Sequence, residues 1–228
     1  MKTLLLTTLL AAAAGSAQAA LVYSQTFDVF DDVPTSSIYF DAAPEYDGIV
    51  GGLTGADLDA NANLNGKLVT SGASGRLPQS GTHFLHSNTL GTPTGSIPAG
   101  EVWGTNASQV PTVEIGTIYE FSFYIAAQNG TGPAIISPRI NGVELQGLTV
   151  DGETNPANAT YTAFGSWVKH TYYWEADTTT ADLSLFNLRT ADAGNDFYLD
   201  TITFSSVPEP GAALLGAFGF LGLMRRRR

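Results

Sequence analysis

The stretch TIYEFSFYIAA, Thr117 to Ala127, decides the fold. Its apolar residues fall at every second position, so an extended backbone puts Tyr119, Phe121, Phe123 and Ile125 on one face. Glu120, Ser122 and Tyr124 fall on the other. A helix would scatter these two sets around its circumference, whereas a strand sorts them cleanly. The spacing therefore predicts a half-buried strand with its aromatic side in a core.

The same period recurs outward from this point. In SWVKHTYYWEA, Ser166 to Ala176, His170, Tyr172 and Trp174 alternate with Lys169, Thr171, Tyr173 and Glu175, and the aromatic-rich set is expected inside. In SPRINGVEL, Asn141 and Gly142 tolerate the left-handed conformations of a two-residue hairpin turn, so the flanking strands fold back on each other. Further strands are predicted at LVYSQTFDVF, GKLVTS, THFLHS, AIISPRI, VELQGL, ADLSLFNL and DFYLDTITFS. In the last of these Phe197 and Leu199 share one face while Ile202 and Phe204 share the opposite one, a conflict that a bulge near Asp200 resolves.

No window from Leu21 to Ser206 sustains a 3.6-residue period. Many short strands at frequent turn spacing predict an all-β chain, an antiparallel β-sandwich. The part from Asp31 to Gly104 is less regular, and IVGGLTGADLDANANLNG and LGTPTGSIPAG read as long loops.

The two ends are of another kind. MKTLLLTTLLAAAAGSAQAA has an early cation at Lys2, an apolar run from Leu4 to Ala14 and small residues at Ala17 and Ala19. This predicts a signal peptide over 1–20, helical before its removal, cut after Ala19 or Ala20. Residues 21–206 are then one domain. The sequence has no cysteine, so the domain must hold together without disulfides, and thiol catalysis and cysteine-rich zinc sites are excluded. Between its ends stand five cations (Lys67, Arg76, Arg139, Lys169, Arg189) against twenty carboxylates, a net charge of −15. Nucleic acid is not an expected partner, since phosphate binding needs clustered basic residues. An acidic surface suits hard cations such as calcium.

The chain closes on VPEPGAALLGAFGFLGLMRRRR, residues 207–228. This resembles a PEP-CTERM sorting tail: Pro208, Glu209 and Pro210 match the motif, an apolar stretch follows, and Arg225, Arg226, Arg227 and Arg228 end it. The resemblance implies an exported bacterial protein recognised and processed near the motif by exosortase, a membrane enzyme, and released to the envelope or an extracellular polymer matrix. Gly211 to Met224 is 14 residues, about 21 Å as a helix, against a hydrocarbon core of roughly 30 Å. Such a short hydrophobic helix suits transient contact with the inner membrane better than a permanent span, the arginines staying on the cytoplasmic side. The alternative is an ordinary single-span anchor.

A second resemblance covers the domain. SQTFD near its start, WVKHTYYWEA and the closing GNDFYLDTITF are similar to the jelly-roll domains of carbohydrate-binding modules and their galactose-binding-like relatives. It implies a jelly-roll sandwich in which the first and last strands share a structural calcium. Asp200 matches the acidic residue of the last strand, and Asp28 is its expected partner. Two carboxylates with backbone carbonyls and water supply the six to eight oxygens calcium needs. Asp31, Asp32, Asp57 and Asp59 read as solvated loop charge.

Sugar binding needs exposed aromatic faces and planar polar groups. The outward sets offer Tyr124 and Tyr173, with Arg139, Lys169, Glu120 and Asn187 beside them if their strands are neighbours. Trp103 and Trp167 are further platform candidates, although Trp167 begins a strand, and Trp174 reads as core. His83 and His86 point to opposite faces of one strand and cannot share a metal without a turn. No nucleophile elbow, phosphate loop or zinc-protease helix occurs, and no carboxylate pair is singled out for glycoside hydrolysis. The glycosylation patterns at Asn106, Asn129 and Asn158 are expected to be incidental in a bacterial protein. The expectation is an exported, non-enzymatic structural or adhesive protein that binds extracellular polysaccharide. Its rivals are a polysaccharide-modifying enzyme on the same scaffold and a matrix protein without a ligand.

Overall fold

The alternation read from Thr117–Ala127 persists in a computed structural model, which describes residues 19–28, 65–69, 75–88, 100–105, 109–127, 133–160, 166–189 and 197–208. Among the described residues twelve strands run in the order β1 (Leu21–Gln25), β2 (Asn65–Val69), β3 (Phe84–Asn88), β4 (Gly100–Gly104), β5 (Ile118–Ala127), β6 (Ile136–Ile140), β7 (Val143–Glu144), β8 (Thr149–Val150), β9 (Glu153–Thr154), β10 (Val168–Glu175), β11 (Leu183–Asn187) and β12 (Phe197–Ser206). The larger sheet has the order β10-β5-β12-β3-β2, with β1 also paired to β12. The smaller has the order β4-β11-β6-β7, and β8 pairs with β9. All these pairings are antiparallel. The chain is an antiparallel β-sandwich, as its periodicity requires. Among the described residues no helix is long and apolar enough to cross a membrane. The signal segment up to residue 18 and the tail from Glu209 onward, with Pro210 and Arg225 to Arg228, lie outside the described residues, as do Asp31, Asp32, Asp57, Asp59, Asn106 and Asn129.

The core fills the space between the sheets with the residues that alternation selects. Phe121, Phe123 and Ile125 of β5 are fully buried against Trp103 of β4 and Leu183 and Leu185 of β11. Aromatic rings interlock there: Tyr119 stacks on Phe204 at 4.9 Å between centroids, and Phe123 on Tyr172 at 6.2 Å. Such paired rings add to the large apolar area each removes from water. This core stands in for the disulfides the sequence lacks. On β10 the inward set is the expected one, with Tyr172 and Trp174 buried and His170 stacked on Phe123.

Two local predictions are met in detail. Asn141 and Gly142 both have positive φ, at 52° and 78°, and join β6 to β7 through the pairs Ile140↔Val143 and Arg139↔Glu144. In β12 the register against β5 shifts between Asp200 and Thr203, and Thr201 has φ 46°. That bulge lets Phe197, Leu199, Ile202 and Phe204 all enter one core.

Two expectations need correction. GEVWG is a strand, β4, although it sits in the stretch read as irregular, and its Trp103 is fully buried. Trp103 is therefore core, not a loop platform, because β4 lies against β11 and turns the indole inward. LVYSQTFDVF and VELQGL also pair over less than their full length.

The outer edge of β10 is not left open. Asn155 is 6% exposed and its side chain acts as a strand partner, accepting from the backbone N–H of Tyr173 at 2.8 Å and donating to the Tyr173 carbonyl at 2.7 Å. Tyr172 donates its hydroxyl to the Ala157 carbonyl, and His170 Nε2 meets the Thr160 carbonyl. The segment 155–160 thereby covers the edge that would otherwise template pairing with another chain.

Candidate functional site

The solvent face of the larger sheet carries the side chains that point away from the core. β10 and β5 are direct neighbours, with Lys169 opposite Tyr124 and Tyr173 opposite Glu120. Tyr124 and Tyr173 are therefore brought to one face, as the sequence suggested, and both are half-buried. Between them Lys169 Nζ lies 3.3 Å from Glu120 Oε1. Thr171 and the hydroxyl pair Ser122–Thr203, 2.8 Å apart, complete a polar floor. Four residues of β10 separate the two tyrosine rows, roughly 13 Å along the strand, longer than one pyranose ring.

Arg139 and Asn187 are not part of this patch. Arg139 lies on β6 of the smaller sheet, its guanidinium 4.0 Å from the centre of the Phe186 ring and its Nε donating to Ser137 Oγ. Asn187 is fully buried on β11 and accepts from the backbone N–H of Arg189. Alternation states which face of its own strand a residue takes, not which sheet the strand joins, and the two sheets face opposite ways.

Further along the same face stands a cluster that the sequence did not single out. Phe84 and Ala126 are fully buried there, Tyr198 is 1% exposed, and Trp167 packs against them. Trp167 meets Phe84 edge-on at 5.5 Å and donates its indole N–H to the Leu77 carbonyl. It is thus a packed residue just before β10 rather than a loop platform. The guanidinium of Arg76 lies 5.8 Å from the Trp167 ring centre and 5.5 Å from that of Tyr198. Burial draws the Arg76 pKa below its ordinary value, while the nearby Tyr198 works in the opposite direction. His86 is buried against Tyr198 at 4.8 Å, and His83 Nδ1 meets Thr82 Oγ1. Only His86 lies on β3; His83 precedes it.

Asp28 and Asp200 converge on one loop. Asp28 Oδ1 accepts from the backbone N–H groups of Thr82 and His83 and from Thr82 Oγ1. Asp200, 0% exposed, accepts from the N–H groups of Gln79 and Ser80 and from the N–H and hydroxyl of Thr201. Thr201 Oγ1 also donates to Gln79 Oε1 at 2.7 Å. Burial raises the Asp200 pKa to about 6 against the pull of those hydrogen bonds. Burial also acts to raise that of Asp28, but its bonds to Thr82 and His83 together outweigh it and the net shift is downward. Gly81, at φ 65°, passes so near the Asp28 carboxylate that a Cβ there would overlap it. Among the described residues no three His, Asp or Glu side chains gather to hold a metal. The oxygens present are carboxylate, amide and hydroxyl, a hard set that fits calcium rather than a transition metal.

A concavity of about 320 Å³ opens beside Trp174, Leu148 and Val150, lined also by Glu175 and Asp177. The polar side chain best placed in it is already engaged: Asn141 donates to Thr178 Oγ1 and the Thr180 carbonyl and accepts from the Asp182 N–H. Asn158 is engaged as well, donating to Glu144 Oε1. The face bearing Tyr124 and Tyr173 is the better candidate.

No protein-family model matches the chain, and no curated protein matches its sequence. Among solved structures it is similar to the xylan-binding CBM22-1 domain of Paenibacillus barcinonensis Xyn10C, with 14% identity over 86% of this chain and 99% of that one and a TM-score of 0.42. A Stig cyclase from Fischerella gives 9% identity over 84% and 99%, with a TM-score of 0.46. The C-terminal domain of the sugar-binding protein EclA gives 19% identity over 48% and 66%, with a TM-score of 0.35. At these values the likeness carries no functional argument, which rests on the residues of the site.

Proposed function

We propose that the protein is an exported β-sandwich that binds extracellular polysaccharide through the solvent face of β10 and β5. The observation that carries this reading is the placing of Tyr124 and Tyr173 on one face with the Lys169–Glu120 pair between them. A phenol ring offers an apolar surface to the C–H face of a pyranose, and the carboxylate, ammonium and hydroxyls offer hydrogen bonds to its edge. The row is long enough for an oligosaccharide. Two tyrosines and one ion pair give a binding surface without supplying an evident pair of acid and base, so the reading is of a binding protein rather than an enzyme.

The same proposal includes the sorting tail: exosortase processing near Pro208 to Pro210 would deliver the domain to the envelope or polymer matrix. It also includes calcium at Asp28 and Asp200, whose remaining ligands would be backbone carbonyls, Gln79 Oε1 and hydroxyls of the 79–82 loop. The test of binding is a glycan array probed with the purified full-length chain. Saturable retention on a defined polysaccharide, lost when Tyr124 and Tyr173 are replaced together, supports the reading; no retention on any glycan overturns it.

A further inference from the structure

We infer that the end of this strip beside Trp167 is a carboxylate subsite built on Arg76, and that the polysaccharide bound is one bearing uronic acid. The inference rests on the carbohydrate reading above and names the class of sugar.

Arg76 keeps only 9% of its surface exposed. Its Nη2 donates to the Ala127 carbonyl at 3.3 Å, and its Nε is buried with no acceptor. A guanidinium has five N–H donors, and the edge made by Nε and the adjacent Nη is one that a carboxylate grips with two parallel bonds. On that edge Nη2 already leans on the Ala127 carbonyl at 3.3 Å, and Nε is the donor without an acceptor. Trp167 and Tyr198 offer their ring faces to the charge, which offsets part of the cost of burying it but supplies no hydrogen-bond acceptor to Nε.

Scarcity of carboxylates does not explain why Arg76 Nε has no acceptor. The domain has twenty of them for five cations, yet among the described residues none pairs with Arg76. Lys169, on the same face, is matched with Glu120. A buried guanidinium without a counter-ion is costly, and an anion that enters and pairs with it recovers that cost.

The position explains why the anion belongs to a sugar. Tyr198 stands opposite Ala126 on β5, and Tyr124 lies two residues further along the same face. From Tyr173 to Trp167 the strip runs six residues, roughly 20 Å. The strip that begins at the tyrosines therefore ends at the two rings, Trp167 and Tyr198, against which Arg76 packs. The net charge of −15 opposes a dense polyanion at a distance, but it is screened beyond roughly 8 Å at physiological salt. Glycans with widely spaced uronates fit this balance best.

The test is titration of the full-length chain against a panel of oligosaccharides with one glucuronic or galacturonic residue, each beside its carboxyl-reduced form. The acid forms are expected to bind at least about tenfold more tightly, the gap closing in Arg76→Met and narrowing in Arg76→Lys. The wild-type comparison decides the matter even if the variants fold poorly. Equal affinity for acid and reduced forms overturns this inference and leaves the carbohydrate reading standing; binding of neither overturns this inference too, and the carbohydrate reading falls with it only if the array also shows no retention.

Discussion

Asp28 and Asp200, near opposite ends of the domain sequence, hold the same loop, Asp28 through the N–H groups of Thr82 and His83 and Asp200 through those of Gln79 and Ser80. Both neighbours of this arrangement are strained, with Phe27 at φ 61° and Thr201 at φ 46°. Positive φ at a phenylalanine or threonine persists only where the surroundings impose it. The loop leads straight into β3, so the two carboxylates tie the ends of the first and last strands of the domain to the start of the strand that pairs with β12.

Removing the buried partner, Asp200, should cost more than removing the half-buried Asp28. Asp200→Ala leaves the N–H groups of Gln79 and Ser80 without their acceptor in a buried place, at about 1–3 kcal/mol for each. Asp28→Ala opens its donors to water and should cost about 1 kcal/mol. Gly81→Ala should be at least as damaging as the latter, since it adds a strained φ to an overlap with Asp28. Urea denaturation midpoints of the three variants give the ranking. Equal losses for Asp28→Ala and Asp200→Ala would contradict the difference in burial.

The calcium proposal predicts a rise in melting temperature with added calcium and a fall on chelation. Both should vanish in Asp28→Asn and Asp200→Asn. Differential scanning calorimetry of the wild type decides it: a melting temperature indifferent to chelator removes calcium from the account. The hydrogen-bonded clamp would remain, because it is formed by amides and hydroxyls of the chain itself.

Without calcium, Asp200 should give stability an unusual dependence on pH. Its folded pKa, about 6, lies above the ordinary value of 3.8, so between these values the native state holds a proton that the unfolded state releases. The contribution is present below pH 3.8 and is lost as pH rises through about 6, some 2 units at about 1.4 kcal/mol each, hence about 3 kcal/mol. His170 acts in the opposite sense. Burial depresses its pKa below 6.5, outweighing the bond to the Thr160 carbonyl, so its contribution weakens as pH falls below 6.5. Comparing wild type with Asp200→Asn in chelator across pH 4 to 7 isolates the first effect. A constant difference between them would show that Asp200 does not titrate in that window.

Much of this was legible in the sequence, for a physical reason. Alternation is a local property, so the faces of β5 and β10 followed from their residues, and the parity conflict in DFYLDTITFS located the bulge at Asp200. Sheet membership is not local. Arg139 alternates correctly on β6 yet belongs to the sheet facing the other way, and Trp103 entered the core because GEVWG pairs with β11, a partner more than 80 positions distant. Arg76 was missed because SGASGRLPQSG has the composition of a solvated loop, and nothing in it announces that Trp167 and Tyr198 will close around one of its side chains. Its signal was the rarity of cations in the domain.

Tyr124→Ala and Tyr173→Ala should each weaken glycan affinity by about tenfold, with the melting temperature nearly unchanged, because both rings stand on the solvent face. Arg139→Ala should leave affinity as it is, its side chain lying on the other sheet. Affinity electrophoresis with the glycan found on the array measures all three. Loss of binding in Arg139→Ala alone would place the site on the smaller sheet.

The export proposal makes a prediction that the pairing of β1 with β12 sharpens. Ala20 donates its N–H to Ser206 Oγ at 3.1 Å, and Ser206 donates its N–H to the Ala20 carbonyl at 2.9 Å. Cleavage after Ala19 keeps both bonds, and cleavage after Ala20 removes both, about 1 kcal/mol in an exposed position. The form beginning at Ala20 should therefore be the more stable product and the one that accumulates. Val207 donates to the Ile118 carbonyl, so the fold reaches the residue before Pro208, and the proposed exosortase processing would act beyond that point. Intact-mass measurement of the envelope-derived protein reads both ends at once. A mass that starts at Ala20 and lacks the apolar stretch and the arginines supports signal cleavage and tail removal together. One that retains residues 211–228 identifies the tail as a lasting anchor, and one that starts at Leu21 shows that the Ala20–Ser206 pairing does not select the mature end.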